Sequence, residues 1–202
     1  MIGISKLYCG TVEPSDALRY GRKAGSLPSH LLQFSEDKKP VVVWNCTRSC
    51  NLKCVHCYSQ SQSQSYEGEF STDEGKGLID MLADFGAPVV LFSGGEPLIR
   101  KDLFELIAYA TARGLRAVIS TNGTLITPDA AARLKDFNLS YVGVSLDGTE
   151  TVNDRFRGVE GAYARALAGI RACQLAGLKV GLRFTINRRN VSEIPAIFDL
   201  IR

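Results

Sequence analysis

Four of the six cysteines in this 202-residue chain lie close together, between positions 46 and 57. Three of them, Cys50, Cys54 and Cys57, follow the spacing Cys-x3-Cys-x2-Cys, and we call residues 50–57 the cysteine loop. Thiolates bind iron and zinc, and the number of thiolates decides which chemistry follows. Three cysteines can hold a four-iron cluster in which one iron has no protein ligand. That open iron would bind a small molecule, so the spacing predicts a reactive cluster.

A structural zinc site with Cys46 as its fourth ligand is the competing interpretation. Zinc sites usually combine two short Cys pairs separated by a longer segment, whereas these four cysteines are crowded together, which favours the cluster. The two remaining cysteines stand apart. Cys173 lies in a helical pattern of apolar residues and is predicted to be a small buried core residue, and Cys9 has no assignment.

Residues 93–97, Ser-Gly-Gly-Glu-Pro, form a second segment that could contact a ligand. Gly94 and Gly95 would allow the backbone to approach a ligand closely, and the Glu96 carboxylate can accept hydrogen bonds from an ammonium group. On its own, such a segment is more often a plain turn after a strand. Its position shortly after the cysteine loop favours the binding interpretation.

Polar residues also follow three later apolar runs. Asn122 follows one run, and Ser145 and Asp147 stand at the end of the next, where strand ends of a parallel barrel point into its mouth. They are therefore candidate cofactor or substrate contacts, although turn-forming roles are equally compatible with Asn122 and Asp147. Residues 187–190, Asn-Arg-Arg-Asn, would either reach an anionic substrate or form a solvated loop.

The elements that must position these residues are short apolar strands that alternate with amphipathic helices. This alternation is typical of a parallel sheet built from βα units. The sequence therefore predicts an α/β fold, a partial TIM-like (β/α) barrel of parallel strands with five βα units. The predicted strands are residues 41–44, 88–92, 115–119, 141–146 and 179–186, and the predicted helices are residues 71–86, 102–114, 127–137, 161–176 and one that begins at 192.

The chain divides into two parts. Residues 1–39 are predicted to be an irregular N-terminal extension, and residues 40–202 are predicted to form the barrel domain. The last helix has no stop signal before Arg202, so we expect a domain truncated at its C-terminus. Residues 59–65, which alternate Ser and Gln, are predicted to be a solvated flexible loop.

The composition is that of a globular protein, with 45% hydrophobic and 22% charged residues. A net charge of +3 gives no reason to expect a nucleic-acid partner, and two His residues leave little room for a histidine-rich metal site. We find no signal peptide and no apolar run long enough to span a bilayer. The sequence therefore predicts a cytoplasmic protein without a membrane partner.

The cysteine loop, continued by Tyr58, resembles the signature of the radical S-adenosylmethionine superfamily. Residues 94–97, Gly-Gly-Glu-Pro, and residues 145–148, Ser-Leu-Asp-Gly, resemble further segments of that family. The resemblance implies that Cys50, Cys54 and Cys57 bind a [4Fe-4S] cluster. It also implies that S-adenosylmethionine is bound by residues that follow the strands, namely Gly94, Gly95, Glu96, Asn122, Ser145 and Arg157.

Within that family, the segments at residues 4–11, 16–21 and 40–45 look like those of the radical enzymes that modify sirohaem derivatives. This resemblance implies removal of two acetate side chains from didecarboxysirohaem, an iron tetrapyrrole, to give iron-coproporphyrin III in haem biosynthesis. It further implies an electron donor such as flavodoxin or ferredoxin, and an auxiliary iron–sulfur cluster in a missing C-terminal region. A radical peptide-modifying maturase and a non-catalytic iron–sulfur or metal-binding protein remain alternatives.

Overall fold

The computed structural model describes residues 39–202, which form a sheet of five parallel strands in the order β1-β2-β3-β4-β5. The predicted extension at residues 1–39 lies outside the described residues except for its last position. Each strand lies next to the strand that follows it in the sequence. Because crossover connections are right-handed, the connecting helices all pack on the same face of the sheet, as in a TIM barrel. The predicted partial barrel is confirmed.

The strands are short and begin and end close to their predicted positions. They are β1 (Val42–Thr47), β2 (Val89–Gly94), β3 (Arg116–Thr121), β4 (Tyr141–Ser145) and β5 (Val180–Arg183). The fifth strand is shorter than predicted. Just beyond it, the Thr185 carbonyl accepts a hydrogen bond from the side-chain amide of Asn190 instead of pairing within the sheet. The first three strands extend further toward their carboxyl ends than predicted.

Six α-helices connect or follow the strands. They are α1 (Thr72–Phe85), α2 (Leu103–Ala112), α3 (Pro128–Asp136), α4 (Glu150–Arg157), α5 (Ala162–Leu175) and α6 (Ile194–Leu200). At the start of α1, Ser71 and Glu74 form the reciprocal hydrogen bonds of a capping box, and Gly86 ends the helix in the left-handed conformation.

Sequence reasoning missed α4. Its signals are a threonine at the N-cap, an acidic residue in the first turn, two arginines in the last turn and a left-handed glycine at Gly158. These are ordinary helix end signals, but the helix is too short and too polar to show an apolar period.

The hydrophobic core lies between the sheet and the helices. Fully buried Val90, Phe92, Ile119, Val142 and Val144 point into it from the three central strands. Because side chains alternate along a strand, the intervening residues face the opposite side of the sheet, the interior face of the partial barrel. That face carries polar side chains near the carboxyl ends of the strands, including those of Asn45, Ser93, Ser120, Ser145 and Arg183.

Within residues 39–202, no helix combines the length and apolar character needed to cross a lipid bilayer.

Candidate cofactor site

The start of the cysteine loop is held at the carboxyl edge of the sheet by the end of the next strand. Thr47 on β1 pairs with Gly94 on β2. Just beyond, the Gly95 N–H donates to the Thr47 carbonyl and the Glu96 N–H donates to the Ser49 carbonyl, both at 2.8 Å. Residues 93–97, which sequence reasoning linked to the cysteine loop through a shared ligand, are therefore bonded through their main chain to residues 47–49, which lead directly into that loop.

This close approach requires glycine at two positions. A Cβ atom on Gly94 would lie 2.0 Å from the Thr47 carbonyl oxygen, and one on Gly95 would lie 2.2 Å from that of Ser49. Gly94 also has a φ of 134°, which residues with a side chain rarely adopt. Both glycines thus position the loop, in addition to any contact they make with a ligand.

Glu96 is fully buried, and its carboxylate is held by donors from two strand ends. Oε1 accepts hydrogen bonds from the Leu98 N–H at 3.1 Å and the Thr121 hydroxyl at 2.8 Å, and Oε2 accepts the Asn122 N–H at 2.7 Å. Burial raises the pKa of Glu96, and these hydrogen bonds act in the opposite direction. A carboxylate has about four acceptor positions, so one remains for a further donor.

We expect Glu96→Gln to lower the free energy of unfolding by about 1–3 kcal/mol. In either orientation of the glutamine, its NH2 group faces a backbone N–H, from Leu98 or Asn122, that has lost its acceptor. Urea unfolding under anaerobic conditions measures the loss. Glu105→Gln is the matched control, because Glu105 is exposed and pairs only with Lys76 at the surface. Equal stability of the Glu96→Gln chain and the wild type would show that the carboxylate has no bracing role.

Asn122 connects the end of β3 to the cysteine loop. Its Nδ2 donates to Asn51 Oδ1 at 2.9 Å and lies 4.0 Å from Cys50 Sγ. Its Oδ1 accepts the Thr124 N–H at 2.9 Å, which is the predicted turn-forming role, and Asn51 in turn donates to the Thr124 hydroxyl. Asn122 is thus placed both in a turn and beside a cysteine of the loop.

The short helix α4 supports the other half of the loop with its last carbonyl groups. The N–H of Lys53 donates to the Arg157 carbonyl at 3.0 Å, and the N–H of Val55 donates to the Phe156 carbonyl at 2.9 Å. Carbonyl groups in the last turn of a helix lack partners within the helix, so they are free to accept these bonds. A Cβ atom on Gly158 would lie 2.4 Å from the Lys53 carbonyl oxygen, so this approach also depends on a glycine.

Asp147, Arg157 and His56 form a group of side chains next to Cys54. Asp147 is 1% exposed, and its Oδ2 lies 2.8 Å from Arg157 Nη2 and 3.3 Å from His56 Nε2. The contact with Arg157 is an ion pair that is not aligned as a hydrogen bond. Arg157 Nη1 lies 3.7 Å from Cys54 Sγ. Asp147 and Arg157, both singled out by sequence as cofactor or substrate contacts, are thus brought together with each other and with the loop.

The three loop cysteines lie close enough to affect one another's acidity. Burial, with smaller contributions from Glu96, Cys54 and Cys57, raises the pKa of Cys50 to about 11, while a hydrogen bond from the Leu52 N–H acts in the opposite direction. Burial also raises the pKa of Cys54, while Arg157 opposes the rise. For Cys57, partial burial acts upward, but hydrogen bonds from Ser59 and Ser61 outweigh it, so its pKa lies below the usual value. These hydrogen bonds therefore stabilise the thiolate form of Cys57.

The Ser-Gln stretch at residues 59–65 is an irregular and mostly exposed loop, as its composition predicts, but part of it packs against the cysteine loop. The Ser61 N–H lies 3.4 Å from Cys57 Sγ, and the Ser59 hydroxyl lies 3.3 Å from the same sulfur. The Cys50 N–H donates to the Gln62 carbonyl at 3.0 Å, and Ser61 is buried. The composition did not predict these contacts, because it does not reveal that small hydroxyl side chains fold back onto a nearby sulfur.

Cys46 and Cys173 lie in the hydrophobic core. Cys46 is 2% exposed, its thiol donates to the Ser93 carbonyl at 3.3 Å, and burial raises its pKa to about 12. Cys173 is fully buried, as predicted, and burial raises its pKa to about 11. Because the Cys46 thiol is buried in the core and hydrogen-bonded to the Ser93 carbonyl, its placement does not favour the zinc interpretation.

The remaining predicted contacts lie around the same edge of the sheet. Ser145 is half-buried at the end of β4 and pairs in register with Arg183, which sequence reasoning did not single out. The Arg183 side chain crosses the interior face beside Gly143, where a Cβ atom would lie 2.4 Å from its Nε. Arg188 and Arg189 are exposed, whereas Asn190 is buried and donates to the Asp147 carbonyl at 3.1 Å.

The donor set of the cysteine loop suits an iron–sulfur cluster. The N–H groups of Leu52 and Ser61 point at the sulfurs of Cys50 and Cys57, and such hydrogen bonds tune clusters. In residues 39–202, no three Cys, His, Asp or Glu side chains converge as ligands of a single metal ion. A four-iron cluster does not need that convergence, because each thiolate binds a different iron.

The sequence model of the Radical SAM superfamily matches residues 44–201. The chain belongs to the radical SAM superfamily. Radical SAM proteins use a [4Fe-4S] cluster together with S-adenosylmethionine, which agrees with the cysteine loop described above.

Two radical SAM relatives act in tetrapyrrole synthesis, according to their names. The chain is 70% identical over 201 residues to Fe-coproporphyrin III synthase of Methanosarcina barkeri, which covers 100% of this chain and 50% of that protein. It is 46% identical over 162 residues to pre-heme d1 synthase of Dinoroseobacter shibae, which covers 80% of this chain and 40% of that protein. The chain thus spans about half the length of the relatives that it matches.

The radical SAM fold is also found in solved structures of low sequence identity. Streptococcus suis SuiB bound to S-adenosylmethionine is superimposed with a TM-score of 0.69 at 20% identity, over 94% of this chain and 43% of that chain. At this identity the likeness establishes the shared fold alone.

Proposed function

We propose that this chain provides the radical-generating domain of an enzyme that removes the two acetate side chains of didecarboxysirohaem, giving iron-coproporphyrin III for haem biosynthesis. The observation that carries the proposal is the 70% identity to Fe-coproporphyrin III synthase along the entire chain. The three cysteines of the loop, and the hydrogen bonds that position them, supply the supporting chemistry.

We assign the cluster to Cys50, Cys54 and Cys57. When bound and reduced, the cluster and S-adenosylmethionine together supply a radical that abstracts a substrate hydrogen. The protein contributes binding and orientation and keeps water away from the site. Gly94 and Gly95 are bonded to the residues just before the cysteine loop, and Asn122 donates to Asn51 within it. These contacts support a site at the carboxyl edge of the sheet.

Three side chains are proposed to hold S-adenosylmethionine. The remaining acceptor position of Glu96 would take a hydrogen bond from its amino group. Arg157 Nε has no hydrogen-bond partner among the described residues and would donate to its carboxylate, together with the Ser145 hydroxyl. These assignments use polar side chains directly after β2, at the end of β4 and at the end of α4.

The interior face of the sheet suits a substrate with several carboxylates. Arg183 and Ser145 lie on it, and Gly143 leaves room for the arginine side chain. An iron tetrapyrrole carries carboxylates around a flat ring, and a guanidinium binds such groups with two parallel hydrogen bonds. The reaction also needs a one-electron donor such as flavodoxin or ferredoxin. Reduced thiols and this donor fit a reducing compartment, so we propose the cytoplasm.

The proposal is tested by supplying didecarboxysirohaem to the anaerobically reconstituted and reduced chain with S-adenosylmethionine. Mass spectrometry is expected to detect iron-coproporphyrin III in amounts that depend on S-adenosylmethionine. Cleavage of S-adenosylmethionine without any change in the tetrapyrrole would contradict the proposed substrate and leave the radical chemistry standing.

A further inference from the structure

Asp147, Arg157 and His56 form a group of polar side chains next to Cys54. None of the three is assigned as a ligand of the iron–sulfur cluster. Arg157 is 9% exposed and Asp147 is 1% exposed, so both charges are largely shielded from water. Charges in such surroundings act on a neighbouring group far more strongly than charges at the surface do.

Arg157 is placed between Asp147 and the cysteine. Its Nη2 lies 2.8 Å from Asp147 Oδ2, and its Nη1 lies 3.7 Å from Cys54 Sγ. Its carbonyl accepts the Lys53 N–H, so its main chain and its side chain are both attached to the loop. On the far side, His56 contacts the same carboxylate oxygen at 3.3 Å and packs edge-on against Phe156.

The two charges act on the sulfur of Cys54 with opposite signs. The Arg157 guanidinium, whose Nη1 lies 3.7 Å from Cys54 Sγ, stabilises negative charge on the sulfur, and the Asp147 carboxylate, which contacts the guanidinium at 2.8 Å, opposes it. Removing the carboxylate would therefore strengthen the positive field at the sulfur. Removing the guanidinium would weaken it.

We propose that Asp147 and Arg157 set the reduction potential of the cluster without being its ligands, with the Arg157 guanidinium stabilising negative charge at Cys54 and Asp147 partly cancelling that effect. This rests on the proposed assignment of the cluster to Cys50, Cys54 and Cys57. Reduction adds negative charge to the cluster, so a stronger positive field makes reduction easier and a weaker one makes it harder.

The test compares the midpoint potential of the cluster in the wild type, Asp147→Asn and Arg157→Gln, by a redox titration followed with electron paramagnetic resonance. Asp147→Asn is expected to shift the potential upward, and Arg157→Gln is expected to shift it downward. The matched control is Asp80→Asn, which breaks the exposed ion pair between Asp80 and Arg113 and is expected to leave the potential unchanged.

Shifts of opposite sign separate this role from a purely structural one, which would lower stability without reversing sign. If one variant does not fold, the sign of the shift in midpoint potential of the other variant still tests the inference. Shifts of the same sign, or shifts no larger than that of Asp80→Asn, overturn the inference. A wild-type chain that assembles no cluster, judged by iron content and absorption, overturns the proposed function instead and the inference with it.

Discussion

Replacing Cys50, Cys54 or Cys57 by Ala is expected to abolish cleavage of S-adenosylmethionine, with 5′-deoxyadenosine falling to the level of a sample without protein. Each thiolate binds a different iron, so losing one opens a second iron and destabilises the cluster. Iron content per chain after anaerobic reconstitution is expected to fall in parallel. Chromatography of the reaction mixture and an iron assay measure the two effects.

Cys46→Ala is the matched control for the loop cysteines. Its thiol is buried in the hydrophobic core with its hydrogen bond directed at the Ser93 carbonyl, so its loss removes a small core side chain and no ligand. We expect it to retain the cluster and the cleavage activity. Loss of iron from Cys46→Ala as complete as from the loop variants would instead favour a site with four thiolates.

Gly94→Ala is expected to lower the free energy of unfolding by about 2–5 kcal/mol and to reduce the iron bound per chain. The added methyl group would collide with the Thr47 carbonyl, and the backbone would keep a positive φ that alanine resists. Relief requires the end of β2 to move away from β1, which breaks the main-chain bonds that hold the cysteine loop. Urea unfolding and iron content measure the two losses.

Gly77→Ala provides the control with the opposite expected sign. Gly77 lies inside α1 and a Cβ atom there would meet nothing within 4 Å. Alanine favours the helix over glycine, so this change is expected to stabilise the chain by about 0.5–1 kcal/mol and to leave iron binding intact. A Gly94→Ala chain as stable as the wild type would refute the positioning role assigned to that glycine.

Most of the barrel was predictable from sequence, because all of its strands and most of its helices carry local sequence signals, with α4 as the exception. Apolar runs such as residues 88–92 fit a parallel strand that is buried on both faces, and Ser71 with Glu74 marks a helix start. The position of the cysteine loop after β1 then followed from topology. Cys173 was predictable for the same reason, since it lies in a helical pattern of mostly apolar residues.

The contacts within the site were not predictable, because they join residues that are distant in sequence. Nothing local to Glu96 indicates that its carboxylate would accept hydrogen bonds from the Asn122 N–H and the Thr121 hydroxyl. The same holds for Arg157, whose place between Asp147 and Cys54 depends on how α4 packs against the loop. Spacing along the chain identifies residues that could do chemistry, but their partners emerge only from the folded structure.

The most direct test of the central claim is the electron paramagnetic resonance spectrum of the reduced, reconstituted chain before and after S-adenosylmethionine is added. If Cys50, Cys54 and Cys57 hold a cluster with one open iron, the signal is expected to change on addition, because the methionyl amino and carboxylate groups bind that iron. A cluster signal that is identical with and without S-adenosylmethionine would contradict the account.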